Sequence, residues 1–386
     1  MLSKNIFIKN FKKKKIPEQL KRLYKNLISE SLNKQSLLNS FTKSFSYSFN
    51  KKKISKFKKY STFQIYGMGG SSLGTKAIYD FLNNKIKKNF YFFDNLDVKN
   101  QKSKKNKKTL SIIISKSGNT LETIVNENIF SSKNKLYITE TGNNYLRNLA
   151  MKLKCDIVEH KNFIGGRYSV LSEVGMLPAE LMGLNTNKFK RFNNLISNKK
   201  FVNNLLLSVI SIYHLVRGKK TNSIILNYDE SSSSLFLWYQ QLVAESLGKK
   251  SNGVLPIISN MPKDNHSLMQ LYLDGNKNCF FTFFDVFEKN SPKILENKIF
   301  DNFKYLKKHN LQSIKLAQKE ATKNVFKAKK IPFRSFEVMK KNEETLGELF
   351  TFFMLETILL GKMMRINPFD QPAVELIKKE TKKILV

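Results

Sequence analysis

Strand-like apolar runs alternate with helical patterns along most of the chain, and this alternation constrains the fold more than any other feature. Phe63-Gln-Ile-Tyr66 leads into the glycine loop Gly67-Met-Gly-Gly-Ser-Ser-Leu-Gly74 and then into a helix-like stretch, Thr75 to Leu82. Further runs follow at Phe90–Phe93, Leu110–Ile114, Lys135–Thr139 and Asp156–Val158. A long helical stretch from Thr186 to Val216 comes next, and then the runs Ser223–Tyr228, Gly253–Ile258 and Cys279–Phe284. Strands separated by helices pack as a parallel sheet covered on both faces, so the fold class is α/β. The pattern divides into an N-terminal helical segment (1–50), a first α/β unit with a long connecting helix (51–217), a second unit (218–342) and C-terminal helices (343–386). A length of 386 residues accommodates two domains.

The formal net charge of +38 raises nucleic acid or an anionic membrane as a partner. Composition argues against that reading. Only seven of the 68 basic residues are arginine, although arginine is the residue that reads phosphate and base edges bidentately. Lys, Asn, Ile, Phe and Tyr are all plentiful and share A/T-rich codons, so codon bias accounts for most of the charge as solvated lysine. No specific nucleic acid and no membrane is expected as a partner.

Cys155 and Cys279 lie far apart with no CxxC neighbour, and His160, His214, His266 and His309 form no HxxxH pair. Buried thiols and no metal are expected. Residues 1–15 are basic without an apolar core or cleavage site, and no run of 18 apolar residues exists, which points to a soluble, cytoplasmic protein.

Chemistry concentrates in two loops. Ser115-Lys-Ser-Gly-Asn-Thr-Leu-Glu122 follows an apolar strand and opens a helix. Three hydroxyls, a lysine and a glycine there make a cradle for a phosphate at a helix N-terminus; a plain helix cap is the simpler alternative. The spacing is not that of a Walker loop. Gly67 to Gly74 repeats this logic after the first strand, but no acidic residue follows in a convincing dinucleotide-binding position.

These loops, with Gly165-Gly-Arg-Tyr-Ser-Val-Leu-Ser172, Gln241-Leu-Val-Ala-Glu-Ser-Leu-Gly-Lys249, Asp264-Asn-His-Ser-Leu-Met-Gln270 and Asn367-Pro-Phe-Asp-Gln-Pro-Ala-Val-Glu375, resemble the glucose-6-phosphate isomerase family. All six segments occur in the family's order. The resemblance implies two doubly wound parallel-sheet sugar isomerase (SIS) domains with helical additions, a homodimer with shared sites, and interconversion of glucose 6-phosphate and fructose 6-phosphate through an enediolate. It also implies that neither a metal nor an organic cofactor is needed.

By the same resemblance, Glu245 is the base that moves the proton between C2 and C1, and Arg167 faces the developing enediolate oxygen. His266, contributed across the dimer interface, and Lys378 open the sugar ring, while Glu122 orients the histidine. Ser115, Lys116, Ser117 and Thr120 form the phosphate cradle, and Gly70, Ser71 and Gln371 line the sugar. Ala373 departs from the family's usual glycine and is expected to crowd the turn if its φ is positive. Two alternatives stand beside this reading: an enzyme that also isomerises mannose 6-phosphate, and a non-catalytic sugar-phosphate-binding SIS regulator.

Overall fold

Ten strands form in the computed structural model, which describes residues 2–11, 14–97 and 108–386. Met1, Lys12 and Lys13 of the basic N-terminal stretch lie outside the described residues. The strands are β1 (Ile6–Lys9), β2 (Thr62–Tyr66), β3 (Asn89–Phe93), β4 (Thr109–Ile114), β5 (Lys135–Thr139), β6 (Asp156–Glu159), β7 (Asn222–Asn227), β8 (Leu255–Asn260), β9 (Cys279–Val286) and β10 (Phe333–Val338). They pair into two five-stranded sheets, ordered β3-β2-β4-β5-β6 and β1-β10-β9-β7-β8. Every pairing is parallel except β1 with β10. All six residues of β4 are buried, the signature of a strand covered on both faces.

One buried apolar cluster takes in residues of both sheets and of helix Glu343–Met363. All residues of that helix except Glu344 and Lys362 are buried, and it packs on helices Lys199–Arg217 and Ser233–Leu247. An all-round apolar surface of this kind belongs to a helix buried on every side. Helix Leu73–Phe81 of the first unit packs on Ser233–Leu247 of the second, and the hydroxyl of Ser234 donates to Asp80 across that contact.

The sequence pattern missed two strands. Residues 1–50, read as helical, also contribute β1, which caps the edge of the second sheet. The run Phe333–Val338 is interrupted by Arg334 and Glu337, which hid β10. Arg334 is nevertheless fully buried: its guanidinium pairs with Glu356 and its Nε donates to Thr282 Oγ1 at 3.0 Å. A buried ion pair satisfied by hydrogen bonds allows a charged residue in a central strand. The stretch from Thr186 to Val216 is broken into Thr186–Phe189, Phe192–Ile196 and Lys199–Arg217. The cysteines, expected to be buried, are free and only half-buried.

Candidate active site

β2 has β3 on one side and β4 on the other, so the winding of the first sheet reverses at the carboxyl ends of β2 and β4. Doubly wound sheets bind ligands in the crevice formed there. The glycine loop leaves β2 and the hydroxyl loop leaves β4 at this point. Gly70 lies against the Arg167-bearing 3-10 turn, Gly166–Leu171. A Cβ on Gly70 would sit 2.1 Å from the Gly166 carbonyl carbon and 2.5 Å from the Arg167 nitrogen. Only glycine permits that approach. Gly70→Ala is therefore expected to cost at or above the roughly 3 kcal/mol end of overpacking penalties, read as a fall in Tm together with lost activity; wild-type values for both would contradict this packing.

In the hydroxyl loop, Ser115 Oγ lies 2.9 Å from Thr120 Oγ1 and accepts from the Gly118 N–H at 3.1 Å. Ser117 Oγ accepts from the Asn119 N–H at 3.3 Å. Gly118 has φ +64, and a Cβ there would meet Asn144 Oδ1 at 1.8 Å. Thr120 is the N-cap residue of helix Leu121–Phe130 but makes no capping hydrogen bond, because its hydroxyl is turned to Ser115. Lys116 donates to the Asn162 carbonyl at 2.6 Å. Lys116 and Asn162 line a cavity of about 350 Å3 together with Gly165, Tyr168 and Phe369. Burial holds the Lys116 pKa below its ordinary value, with Glu140 opposing the shift.

Arg167 is the hub of the site and is only 2% exposed. Nε donates to Ser246 Oγ at 2.9 Å. Nη1 donates to Glu245 Oε2 at 3.1 Å and to Gln371 Oε1 at 2.7 Å, and Nη2 donates to the carbonyls of Pro368 and Asp370 at 2.7 and 3.0 Å. A guanidinium has five N–H groups, and all five are engaged. Glu245 is held at its other oxygen as well, since Gln241 Nε2 donates to Oε1 at 2.8 Å. The structure thus joins Gly70, Arg167, Glu245 and Gln371, which come from four separate motifs.

Other candidates stand apart. His266 is exposed on the short turn after β8, and its imidazole makes no hydrogen bond among the described residues. Glu122 sits in the first turn of Leu121–Phe130 without bonding His266. Ser71 ends the short turn Gly69–Ser71 beside Gly70. Lys378 lies on helix Val374–Leu385, which has no buried residue, and pairs with Glu375 at 2.7 Å. Ala373 has φ −65, so the crowding expected of a left-handed turn does not arise.

Three contributors escaped the sequence reading. Gln241 stands one helical turn before Glu245, and the i, i+4 spacing could have revealed it. Ser246 carried no signal. Lys249 pairs with Asp370 Oδ1 at 2.8 Å, pinning the C-terminal segment that supplies three acceptors to Arg167; only its place at the end of the Glu245 motif hinted at it. No cluster of His, Cys, Asp and Glu among the described residues could hold a metal ion.

The phosphoglucose isomerase family profile matches residues 24–386. The chain is 34% identical over 352 residues to a glucose-6-phosphate isomerase of Methanocaldococcus jannaschii, covering 86% of each chain. It is 31% identical over 351 residues to one from Mycoplasmopsis pulmonis, covering 83% of this chain and 82% of that one. In fold it resembles a hypothetical protein of Thermus thermophilus, with a TM-score of 0.81 at 24% identity over 96% of this chain and 97% of the other.

Proposed function

The chain belongs to the phosphoglucose isomerase family, and on that basis we propose that it interconverts glucose 6-phosphate and fructose 6-phosphate. The observation that carries this reading is the Arg167–Glu245 pair, whose arginine sits on a turn that packs directly against Gly70 of the loop after β2. The phosphate sits on Ser115, Ser117 and Thr120, with Lys116 exchanging the Asn162 carbonyl for a phosphate oxygen. Gly70 and Ser71 border the sugar chain.

Glu245 removes the C2 proton of the open aldose and returns it to C1, while the proton of the O2 hydroxyl passes to O1. Negative charge develops on the substrate oxygens as the enediolate forms, and Arg167 is the nearest fixed cation to Glu245. Because its five N–H groups are already engaged, a substrate oxygen has to displace one acceptor. Gln371 is the exposed side-chain acceptor, so it yields Nη1 and turns to a sugar hydroxyl. Ring opening needs an acid and a base, and these roles fall to His266 and Lys378. Lys378 reaches the ring oxygen only by leaving Glu375, and an ion pair exposed on both sides costs little to break.

The free imidazole of His266 supports a shared site in which the partner subunit of a homodimer supplies it, with Glu122 orienting the incoming ring. The exposed Val374, Leu376, Ile377, Ile384 and Leu385 of the last helix give a dimer apolar surface to cover. The proposed units, 51–217 and 218–342, each carry the parallel strands of one sheet, with β1 of the N-terminal segment added antiparallel at the edge of the second. No helix of the described residues is long and apolar enough to cross a membrane, and a cytoplasmic place suits the proposed substrate.

Two measurements test this. Purified protein is expected to convert fructose 6-phosphate to glucose 6-phosphate in a coupled dehydrogenase assay. His266→Ala and Glu245→Gln proteins, each inactive, are expected to regain activity when unfolded and refolded together, because mixed dimers contain one site with both lesions and one with neither. An inactive wild type overturns the reading; failure of mixed dimers to recover overturns the shared site alone.

A further inference from the structure

Lys190 lies between the turn Thr186–Phe189 and helix Phe192–Ile196 and is only 3% exposed. Its ammonium donates to two carbonyls, those of Ser40 and Leu171. It also lies 4.9 Å from the ring centroids of both Phe45 and Tyr47. Glu173 acts on it through space but forms no ion pair with it among the described residues. Burial pushes its pKa down to about 7. Enclosing a lysine without a carboxylate partner disfavours its charged form, and an apolar side chain would fill the same volume without that penalty. What the amine adds is a directional grip on two carbonyls from different parts of the chain.

Those carbonyls identify what is gripped. Ser40 belongs to the turn Leu37–Phe41 of the N-terminal segment, and Leu171 is the last residue of the turn that carries Arg167. The front of the arginine turn is fixed by Gly70, whose carbonyl accepts from Ser169 Oγ at 3.3 Å. Its far end continues into Glu173, which accepts from the Ser48 N–H at 2.8 Å. The N-terminal segment therefore clasps the rear of the turn at two points, once through Lys190, which bridges Ser40 and Leu171, and once through the Ser48–Glu173 hydrogen bond.

We propose that Lys190 is a positioning residue for the isomerisation, holding from behind the turn that aims Arg167 and binding it to residues 37–49. The proposal rests on the isomerase reading above. It acts through Arg167 and touches no substrate. Displacing catalytic groups by about 1 Å costs on the order of 100-fold in rate, so loss of the grip is expected to appear in kcat.

The test compares Lys190→Met and Lys190→Gln with wild type on fructose 6-phosphate, each corrected for folded fraction by near-ultraviolet circular dichroism. Lys190→Met is expected to lower kcat about 10- to 100-fold with KM within about twofold, and Lys190→Gln, which keeps one donor, to fall between. In an Arg167→Lys background the same Lys190→Met change is expected to cost less than about threefold, because coupled residues do not add. Unchanged kcat, or the same factor in both backgrounds, overturns the proposal. Should Lys190→Met fail to fold, Lys190→Gln decides. A wild type inactive on fructose 6-phosphate defeats the isomerase reading, and amide hydrogen exchange then decides positioning. Faster exchange across 166–171 in Lys190→Gln, with β4 protection unchanged, supports it, and unchanged exchange there overturns it.

Discussion

Glu245→Gln is expected to lower isomerisation by a factor of roughly 10³, within the 10²- to 10⁴-fold range of general acid–base catalysis, while the protein stays folded. The substitution keeps shape and removes basicity. Arg167 Nη1 can still donate to the amide oxygen, and the guanidinium retains its bonds to Ser246, Gln371, Pro368 and Asp370. The conflict falls on Gln241, whose Nε2 would face a second NH2. Gln241 Oε1 is buried without a partner, so an amide flip turns the clash into a hydrogen bond. The stability cost is about 1 kcal/mol. Incorporation of solvent deuterium into the sugar is expected to fall with turnover. Full activity in this variant would remove Glu245 from the proposed role.

Arg167→Met is expected to fail differently, losing rate and structure together. It strips a donor from two backbone carbonyls, two side-chain oxygens and the Glu245 carboxylate. Breaking one side of a buried, hydrogen-bonded pair costs about 3–5 kcal/mol, and Glu245 is 30% exposed, which places the expected loss toward the lower end. Loss of transition-state stabilisation adds a further 10²- to 10³-fold in kcat. Three of the lost acceptors lie in residues 368–371, leaving Tyr168, whose hydroxyl donates to the Pro368 carbonyl at 3.0 Å, and Lys249 to hold that segment. Proteolytic cleavage near residue 370 is therefore expected to accelerate in Arg167→Met and not in Glu245→Gln. Equal cleavage in the two variants would show that Arg167 does not anchor the C-terminal segment.

The parts of this fold that were readable from the chain share a local cause. β2, β4 and β9 are mainly apolar because both faces of each are covered, and the loops after β2 and β4 announce themselves through glycines and hydroxyls whose backbone requirements are local. Glu245 and Arg167 stood out in two motifs 78 residues apart, and in the structure they touch. β10 was not readable, because Arg334 occupies an interior position that a pattern of apolar residues assigns to loop. Only its pairing with Glu356, 22 residues later, makes the strand feasible. β1 is four residues long, too short for a periodic signal, and exists because β10 offers an open edge.

Residues close together in the chain were enough to define the α/β class, the two loops at the head of the first sheet and the side chains able to do acid–base chemistry. Contacts between distant segments were needed to engage all five N–H groups of Arg167 and to leave Gln371 as the exposed side-chain acceptor able to yield. They also buried Lys190 behind the arginine turn. Those facts depend on hydrogen bonds spanning up to 204 residues, and a donor's partners across such distances are chosen by packing, not by the residues beside it.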